Sequence, residues 1–343
     1  MNLNLETLRS IALGTAYVTE EENGFHFHRF TKEQEDLYKT TSFADKIPCT
    51  AGVKLCFRTN SRRLYIKTNV KKASSRSFFA FDIFKNSEKL GQITNITNEG
   101  IVFSKGSLMP GNVDLPLGIF EGDFDLGEGD KTVTVYFPWS ADATIISAGI
   151  DDDAILEPIK KEIKMLIFGD SITHGYDAFS PSGAYSAILT DALGADSRNK
   201  GIGGEKFRPE LALCKEDIDP NIITVAYGTN DWCHHTKDTF EKNCSEFYEA
   251  ISKNYPNAKI FAITPIWRAD CNEATACGHF DDIKNFFIKV AEKLPNVRVI
   301  DGKDFVPHNE KYFSDFYLHP NDGGFAYYGK ALANEIKKHL NMR

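Results

Sequence analysis

The sequence predicts a two-domain protein in which an all-β domain precedes an α/β domain built on a parallel sheet. Residues 1–150 contain short runs rich in Phe, Val, Ile and Tyr, and turn-forming clusters separate these runs. Residues 163–343 instead alternate apolar runs with helical stretches, which is typical of a parallel sheet with helices on both faces. A polar stretch at 151–162 lies between the two regions, and we expect it to be a linker.

Length, composition and charge narrow the class of protein further. The 343 residues are enough for two domains, and 42% hydrophobic with 26% charged residues are ordinary globular values. A formal net charge of -8 argues against a phosphate-binding surface, so we expect no nucleic-acid partner. No apolar run approaches membrane-spanning length, and the first residues lack the basic and apolar regions of a secretory signal. We therefore expect a cytoplasmic protein with no membrane partner, and its oligomeric state stays open.

The all-β domain is expected to be a sandwich or jelly roll. Two-residue alternation is clear where Leu64 and Ile66 alternate with Tyr65 and Lys67, which indicates a strand with one apolar face. No amphipathic helix of useful length stands out in this region. Many short strands with frequent turns favour two packed antiparallel sheets. The predicted strands are 24–29, 53–58, 63–70, 76–84 and 131–137.

The α/β domain is predicted from four apolar runs that alternate with four helical stretches. The runs have the length of buried parallel strands, and the helical stretches are long enough to cross back over a sheet. The predicted strands are 165–168, 222–226, 260–263 and 297–300. The predicted helices are 182–193, 240–254, 280–294 and about 325–340.

The stretch Met-Leu-Ile-Phe-Gly-Asp-Ser-Ile-Thr-His-Gly at 165–175 carries the main functional signal. Its apolar run stops abruptly at Gly169 and a helical pattern follows, so Ser171 lies on a turn between a strand and a helix. In a parallel sheet such a turn lies at the carboxyl edge, where ligand crevices form. Ser171 is therefore a candidate nucleophile, although Gly, Asp and Ser are also ordinary turn residues.

Three further stretches follow strands of the α/β domain and converge on the same sheet edge. The glycine-dense loop at 199–204 lets its backbone approach a ligand closely, and the stretch 228–231 ends a predicted strand. His319 comes just before the last predicted helix. Acyl transfer needs a nucleophile, a base within hydrogen-bond reach and donors aimed at the developing oxyanion. The convergence therefore favours acyl transfer.

Taken in order, these blocks resemble the four motif blocks of the SGNH (GDSL) hydrolase superfamily. The resemblance covers residues 163–343 and implies a flavodoxin-like, three-layer α/β sandwich. It also implies that Ser171 is the nucleophile and that the N–H of Ser171 is the first oxyanion donor. By the same resemblance, the side-chain amide of Asn230 is a further donor and His319 is the general base.

The glycine of the second block is less sharply defined than the other positions. Gly204 matches it, because Gly204 lies five residues after Asn199, which is the spacing usual in the superfamily. Gly203 is the alternative. The G-x-S-x-G elbow of α/β-hydrolases is absent, because Thr173 stands where its second glycine would be.

One position departs from the superfamily pattern. An aspartate usually lies three residues before the histidine, and here that residue is Phe316. Asp315 lies one residue too early, so it reaches the imidazole as the third catalytic residue only if the loop bulges. Otherwise a backbone carbonyl orients the ring. Either group would hold the imidazole tautomer and stabilise the imidazolium.

Four side chains near these blocks have competing interpretations. We expect Asp170 to tie down its turn through backbone N–H groups, and His174 to be a pocket wall or surface residue. Trp232 and Trp267 follow strands whose carboxyl ends face Ser171. An indole offers a large apolar area, so core packing competes with substrate binding, and we predict that both tryptophans bind substrate.

Cysteine usage points to neither a disulfide framework nor a metal site. The chain has seven cysteines, and this odd number fits reduced thiols. The cysteines and histidines at 233–235 and 271–279 do not have a familiar zinc-ligand spacing, so no metal is expected. They are Cys233, His234, His235, Cys271, Cys277 and His279.

A β-sandwich before such a domain resembles the two-domain carbohydrate esterases, in particular the family-2 acetyl esterases. This part of the resemblance rests on architecture and length. It implies a serine esterase that removes small acyl groups, above all acetyl, from a small-molecule or oligosaccharide ester, without a metal or organic cofactor. Two alternatives stay open: a lipase, lysophospholipase or thioesterase of the same superfamily, and a sugar-binding protein with a lapsed hydrolase domain.

Overall fold

The N-terminal region folds into antiparallel sheets. The structure is a computed structural model, and it describes residues 1–97, 100–105 and 115–342. Its N-terminal strands are β1 (Ala12–Leu13), β2 (Tyr17–Glu21), β3 (Gly24–His28), β4 (Lys54–Thr59), β5 (Arg63–Lys72), β6 (Ala80–Lys85), β7 (Glu88–Thr94), β8 (Gly118–Asp125), β9 (Lys131–Tyr136), β10 (Ala141–Ile150) and β11 (Leu156–Pro158). One sheet has the order β2-β3-β10-β5-β8. The other has the order β1-β4-β9-β6-β7, with β11 also paired to β4.

A shared hydrophobic core joins these two sheets. Along β5 every second side chain from Leu64 to Val70 is buried, as the alternating sequence predicts. Leu64 and Ile66 from one sheet belong to the same apolar cluster as Phe57 and Val133 from the other. The two sheets thus form a sandwich in the part of the chain that the structure describes. Its jelly-roll connectivity stays a prediction.

Two details of this region differ from the sequence prediction. Only the second half of the predicted strand 76–84 is extended in a sheet, since β6 begins at Ala80. The region also contains two seven-residue helices, α1 (Leu5–Ile11) and α2 (Lys32–Tyr38). Both are too short for a clear amphipathic repeat, and α2 owes its start to a capping box in which Thr31 and Gln34 bond each other's backbone.

The second region contains a five-stranded parallel sheet of flavodoxin-like order. Its strands are β12 (Lys164–Gly169), β13 (Asp196–Asn199), β14 (Ile222–Ala226), β15 (Lys259–Ile263) and β18 (Val297–Ile300), and a small hairpin of β16 (Ala274–Thr275) and β17 (Gly278–His279) lies outside the sheet. The order β13-β12-β14-β15-β18 corresponds to 2-1-3-4-5. The four predicted strands are confirmed. Sequence analysis missed β13, an edge strand whose residues Asp-Ser-Arg-Asn lack an apolar run.

Helices cover both faces of the parallel sheet. They are α3 (Ser171–His174), α4 (Tyr185–Ala192), α5 (Pro209–Leu213), α6 (Thr229–His234), α7 (Lys237–Asn254), α8 (Asp282–Ala291) and α9 (Asp322–Leu340). Apolar residues of α7 and α8 belong to the cluster on one face, and those of α4 and α9 to the cluster on the other. The three-layer α/β architecture is therefore confirmed. Within the described ranges, the chain has no helix of the length and apolarity needed to cross a membrane.

The two regions are in extensive contact. The segment 29–50 leaves the sandwich and packs on the α/β region, where Phe30, Tyr38 and Ile47 join the cluster around α7. The buried guanidinium of Arg29 donates to the carbonyl of Gly201 at 2.6 Å. Part of the expected linker is itself ordered, because residues 156–158 form β11. The division at 151–162 stays a prediction.

Candidate active site

The turn at residues 169–175, here called the serine turn, lies where the strand order reverses. It follows β12, whose neighbours β13 and β14 lead away in opposite directions, and ligands bind in such crevices. The side chain of Asp170 accepts from the N–H of Ile172 at 2.9 Å and caps α3, as predicted. Gly175 ends the turn with a φ of 106°, a conformation open to glycine. Ser171 is thereby held at the carboxyl edge of the sheet.

His319 lies on a loop at 313–320, here called the histidine loop, whose ends are joined. Phe313 and Pro320 form an isolated antiparallel bridge. The N–H of Ser314 donates to the carbonyl of His319 at 2.8 Å, inside that bridge. The loop delivers His319 to the serine turn across 148 residues of sequence.

Ser171, His319 and Asp315 form one hydrogen-bonded chain. Ser171 Oγ lies 2.9 Å from His319 Nε2, and His319 Nδ1 lies 2.8 Å from Asp315 Oδ2. Both Ser171 and His319 are nearly buried, with exposed fractions of 5% and 6%, and Asp315 is fully buried. These distances are those expected of a nucleophile, a base and a group that orients the base.

A bulge in the histidine loop lets Asp315 reach the ring from four residues away. Phe316 adopts a φ of 57°, in the left-handed region that bulky side chains rarely enter. Asp315 Oδ1 also accepts from the backbone N–H groups of Tyr317 and Leu318, at 2.9 and 2.7 Å. Burial alone would raise the pKa of Asp315, but the hydrogen bond and charge of His319, with those backbone donors, hold it below its usual value. In this structure a carboxylate, rather than a backbone carbonyl, faces Nδ1.

The candidate oxyanion donors surround the end of the same strand. Ser171 is the first residue of α3, so its N–H belongs to the helix turn that has no internal acceptor. The N–H of Gly203 donates to His174 Nδ1 at 3.2 Å, which leaves Gly204, with a φ of 86°, as the better donor of the glycine loop. Asn230, on α6, donates to the carbonyl of Glu205 at 3.0 Å, so its amide is tied to that loop.

His174 is a structural anchor in the interior that lines a small cavity of about 20 Å³, so it is a pocket-wall residue, one of the two predicted alternatives, and not a surface residue. Its ring is 1% exposed, and Nε2 donates to the carbonyl of Trp139 at 2.9 Å. Nδ1 accepts from Gly203, as described above, so the neutral ring joins the sandwich to the glycine loop. Burial is the main cause that holds the pKa of His174 well below its usual value.

Sequence analysis also missed a polar residue that holds the site together. Asn199 donates to the carbonyl of Thr173 at 2.7 Å and accepts from the N–H of Gly201 at 2.8 Å. It therefore fastens the serine turn to the glycine loop. The sequence signal for this role was its position five residues before Gly204, which the sequence analysis used only to locate that glycine.

Comparison with known proteins agrees with this geometry. The profile of the GDSL-like lipase/acylhydrolase family matches residues 167–327, which include Ser171, Asn230 and His319. Residues 163–343 are here called the acylhydrolase domain, after the family that this segment resembles. No curated protein sequence matches the chain.

Solved structures similar to this chain extend the likeness beyond the acylhydrolase domain. The salicylyl-acyltransferase SsfX3 from a tetracycline biosynthetic pathway is 20% identical, with a TM-score of 0.78 over 96% of this chain and 94% of that one. A protein described as a GDSL-like lipase, from Bacteroides ovatus, is 20% identical, with a TM-score of 0.71 over 97% and 96%. A family two carbohydrate esterase from Clostridium thermocellum, solved with cellohexaose, is 15% identical, with a TM-score of 0.63 over 85% and 94%. At these identities the likeness shows a shared fold.

The two tryptophans lie in different surroundings. Trp232 is 1% exposed, donates to the carbonyl of Gly278 at 3.0 Å and packs against Phe280. It is a core residue of the acylhydrolase domain in this structure, and its burial does not support a role in substrate binding. Trp267 is half-buried, stacks on His308 and packs against Phe313 at the start of the histidine loop.

A cleft of about 660 Å³ with both polar and apolar lining residues, here called the mixed cleft, adjoins the glycine loop from the side of the sandwich. The Lys46 ammonium in its wall donates to the carbonyl of Gly203 at 2.5 Å, next to the candidate donor Gly204. Ser75, which also lines the cleft, precedes Arg76, whose guanidinium lies over the ring of Tyr176 in the acylhydrolase domain. The lining residues are Ser42, Ala44, Asp45, Lys46, Pro48, Lys71, Lys72, Ala73, Ser74, Ser75 and Asp142.

One further carboxylate approaches the base. Asp177 Oδ2 lies 3.7 Å from His319 Nδ1, and Asp177 is held by Arg76 at 2.7 Å. Within the described ranges, Asp177, Asp315 and His319 bring three potential metal ligands within 4.8 Å of one another. Asp177 already pairs with Arg76, and Asp315 and His319 already form the hydrogen-bonded chain with Ser171. We therefore assign no metal site to them. No sequence signal identified Arg76, because it comes from the other region of the chain.

Proposed function

We propose that the protein is a serine esterase that removes small acyl groups, above all acetyl, from carbohydrates. The observation that carries the proposal is the hydrogen-bonded chain of Ser171, His319 and Asp315 at the carboxyl edge of the parallel sheet. The family match supports ester hydrolysis in general. The choice of acetyl and carbohydrate rests on further arguments, given below.

The mechanism follows from the positions of these groups. His319 Nε2 takes the proton of Ser171 as Oγ attacks the ester carbonyl, and Asp315 stabilises the imidazolium that forms. The backbone N–H groups of Ser171 and Gly204 and the amide of Asn230 donate to the oxyanion. His319 then gives its proton to the leaving alcohol, and an acyl group stays on Ser171. Water attacks this acyl-enzyme with His319 again as base, which releases the acid and restores the serine.

The mixed cleft supports a hydroxyl-rich leaving group. Its lining includes the hydroxyl residues Ser74 and Ser75 and the charged residues Lys46 and Asp142. Such groups hydrogen-bond sugar hydroxyls, whereas a lipid chain needs a continuous apolar surface. Similar folds with carbohydrate esterase activity in their names, one of them solved with cellohexaose, add support by analogy.

A substrate panel tests the proposal. Acetate release from acetylated oligosaccharides is measured beside hydrolysis of p-nitrophenyl acetate and of a long-chain p-nitrophenyl ester. We expect activity on both acetates and little on the long-chain ester. Ser171→Ala should fold normally and lower kcat by about a thousandfold or more, because it removes the nucleophile.

The panel also separates the alternatives. A wild-type preference for the long-chain ester would favour a lipase, lysophospholipase or thioesterase. Oligosaccharide binding without turnover of any ester would favour a sugar-binding protein with a lapsed domain. Turnover by Ser171→Ala at the wild-type rate would contradict the esterase mechanism itself.

A further inference from the structure

Arg76 belongs to the sandwich, and its charged guanidinium lies next to the candidate active site. Its guanidinium makes a two-point contact with Asp177: Nε lies 2.7 Å from Oδ1 and Nη2 lies 3.0 Å from Oδ2. Arg76 is 2% exposed and Asp177 is fully buried. A buried ion pair of this kind contributes little net stability compared with an apolar pair of the same volume. Its presence therefore calls for a reason other than stability.

Arg76 and Asp177 approach His319 in two ways, one direct and one through Tyr176. Asp177 Oδ2 lies 3.7 Å from His319 Nδ1, the nitrogen that also faces Asp315. The guanidinium of Arg76 lies over the ring of Tyr176, and that ring in turn stacks on the imidazole of His319, with ring centres 5.8 Å apart. Arg76 thus supports both the edge and one face of the imidazole.

Asp177 is also held in an unusual backbone conformation. Its φ of 71° lies in the left-handed region, which a residue with a side chain rarely adopts. Its carbonyl accepts from the hydroxyl of Ser314, in the histidine loop, at 3.3 Å. Strained positions of this kind cluster where the geometry of a site requires them.

We propose that Arg76 and Asp177 are a positioning pair through which the sandwich sets the charge and orientation of the base. Two carboxylates, Asp315 and Asp177, face one imidazole. Without Arg76, the uncompensated charge of Asp177 would add to that of Asp315 and favour the imidazolium over the neutral base. Arg76 compensates the charge of Asp177 and leaves Asp315 to stabilise the imidazolium during the reaction. This inference rests on the proposed function, in which His319 is the general base.

The charged and titratable groups around His319 come from four parts of the chain. Asp315 belongs to the histidine loop, Asp170 to the serine turn, and Tyr176 and Asp177 directly follow that turn. Among these groups of the described residues, Arg76 comes from the sandwich, and it acts on His319 through Asp177 and Tyr176. A change at Arg76 or Asp177 therefore alters the charge near His319 while Asp315 stays in place.

The test is the acidic limb of the pH profile of kcat/KM, which reports protonation of the base in the free enzyme. Arg76→Met leaves the charge of Asp177 uncompensated, so the limb should move to higher pH by about 0.5 to 1 unit. Asp177→Asn removes a negative charge 3.7 Å from His319 Nδ1, so the limb should move to lower pH. Arg76→Met/Asp177→Asn removes both charges and should bring the limb back towards the wild-type position.

Two further variants distinguish positioning from general stability. Arg76→Lys keeps the charge and loses the two-point contact, so we expect a limb close to the wild type and a kcat lowered only a fewfold. Lys54→Met is the matched control, because Lys54 also joins the sandwich to the acylhydrolase domain, through Asp191 at 2.6 Å on α4. It should leave the limb unchanged. The proposal is overturned if Arg76→Met and Asp177→Asn leave the limb in place, or if both shift it in the same direction.

A measurement without turnover separates this inference from the proposed function. NMR titration of histidine-labelled protein follows the imidazole of His319 directly, with His319→Gln used to assign its resonance. The same opposite shifts are expected in Arg76→Met and Asp177→Asn. If wild-type protein hydrolyses no ester, the proposed function fails, and the titration still decides whether Arg76 and Asp177 set the charge state of His319.

Discussion

The serine turn and the histidine loop carry the proposed nucleophile and the proposed base, yet they are built differently. The serine turn follows a strand directly, and one carboxylate, that of Asp170, caps it. The histidine loop follows no strand, and it is closed by a bridge between Phe313 and Pro320. Its carboxylate, Asp315, accepts both from the loop's backbone and from the catalytic ring.

The difference shows where a sequence pattern determines geometry. A strand that ends in a short helix leaves little freedom, so the spacing of the serine turn matches its superfamily pattern. A loop closed by its own hydrogen bonds can absorb an extra residue, and here Phe316 does so at a φ of 57°. The contact of the carboxylate with His319 Nδ1 is kept although its position in the sequence has moved. Three variants, each with a second variant for comparison, test these regions and their surroundings, from the largest expected effect on activity to the smallest.

Asp315→Asn should have the largest effect. The amide can still accept from the backbone N–H groups, so the loop should keep its shape. It can also donate to Nδ1, which favours the wrong imidazole tautomer and removes the charge that stabilises the imidazolium. We expect kcat on p-nitrophenyl acetate to fall by about a thousandfold or more, with an unchanged unfolding temperature.

A double variant then tests whether the bulge matters. Asp315→Asn/Phe316→Asp places an aspartate three residues before His319, at the usual superfamily position. The side chain at 316 is exposed in the bulged loop, so this carboxylate should point to solvent and restore little activity. A loss of only a fewfold in Asp315→Asn would show that Asp315 is not the orienting group. Full rescue by the double variant would show that the loop does not need its bulge.

Trp267→Ala should have an intermediate effect, confined to large substrates. Trp267 packs against Phe313, where the histidine loop begins, and its indole is half-buried. Contact with the apolar face of a sugar should contribute about 1–2 kcal/mol, so kcat/KM on an acetylated oligosaccharide should fall about tenfold. Activity on p-nitrophenyl acetate should change much less.

Trp232→Ala is the matched comparison for that variant. Because Trp232 is a core residue, its loss should destabilise the fold by about 3–5 kcal/mol and lower activity on both substrates alike. If Trp267→Ala also lowered both activities equally, a substrate-binding role for Trp267 would be wrong.

The accuracy of the sequence analysis follows the same division between regular and irregular backbone. The parallel strands and the serine turn were predicted because buried apolar runs and the motif spacing are local signals. The edge strand β13 was missed because its residues Asp-Ser-Arg-Asn are polar. Arg76, Asp177 and His174 act through contacts that only the folded chain creates, and no local pattern marks them. Trp232 and Trp267 look equivalent in the sequence, and packing alone distinguishes them.

Asp170→Asn should have the smallest effect on activity. We expect it to change the stability of the fold instead. Burial raises the pKa of Asp170 to about 7, far above its value of about 4 in an unfolded chain. Between these values the folded protein binds a proton that the unfolded chain has lost, so this residue makes stability fall as pH rises from about 4 to 7. Above pH 7 the folded protein holds an ionised, buried carboxylate, which is unfavourable. Asparagine keeps the acceptor for the N–H of Ile172 and carries no charge at any pH.

The variant should therefore match the wild type near pH 4 and exceed its free energy of unfolding at pH 8 by about 1–3 kcal/mol. Urea unfolding of both proteins across this range measures the difference, and contributions from all other groups cancel in it. Asp170→Ala serves as the control, because it removes the charge and the cap together and should lose about 1 kcal/mol relative to Asp170→Asn at every pH. A difference between Asp170→Asn and wild type that does not change with pH would show that Asp170 is ionised throughout. In that case the carboxylate of the serine turn would be stabilised as a charge, like Asp315 in the histidine loop, and the two loops would differ only in their backbone.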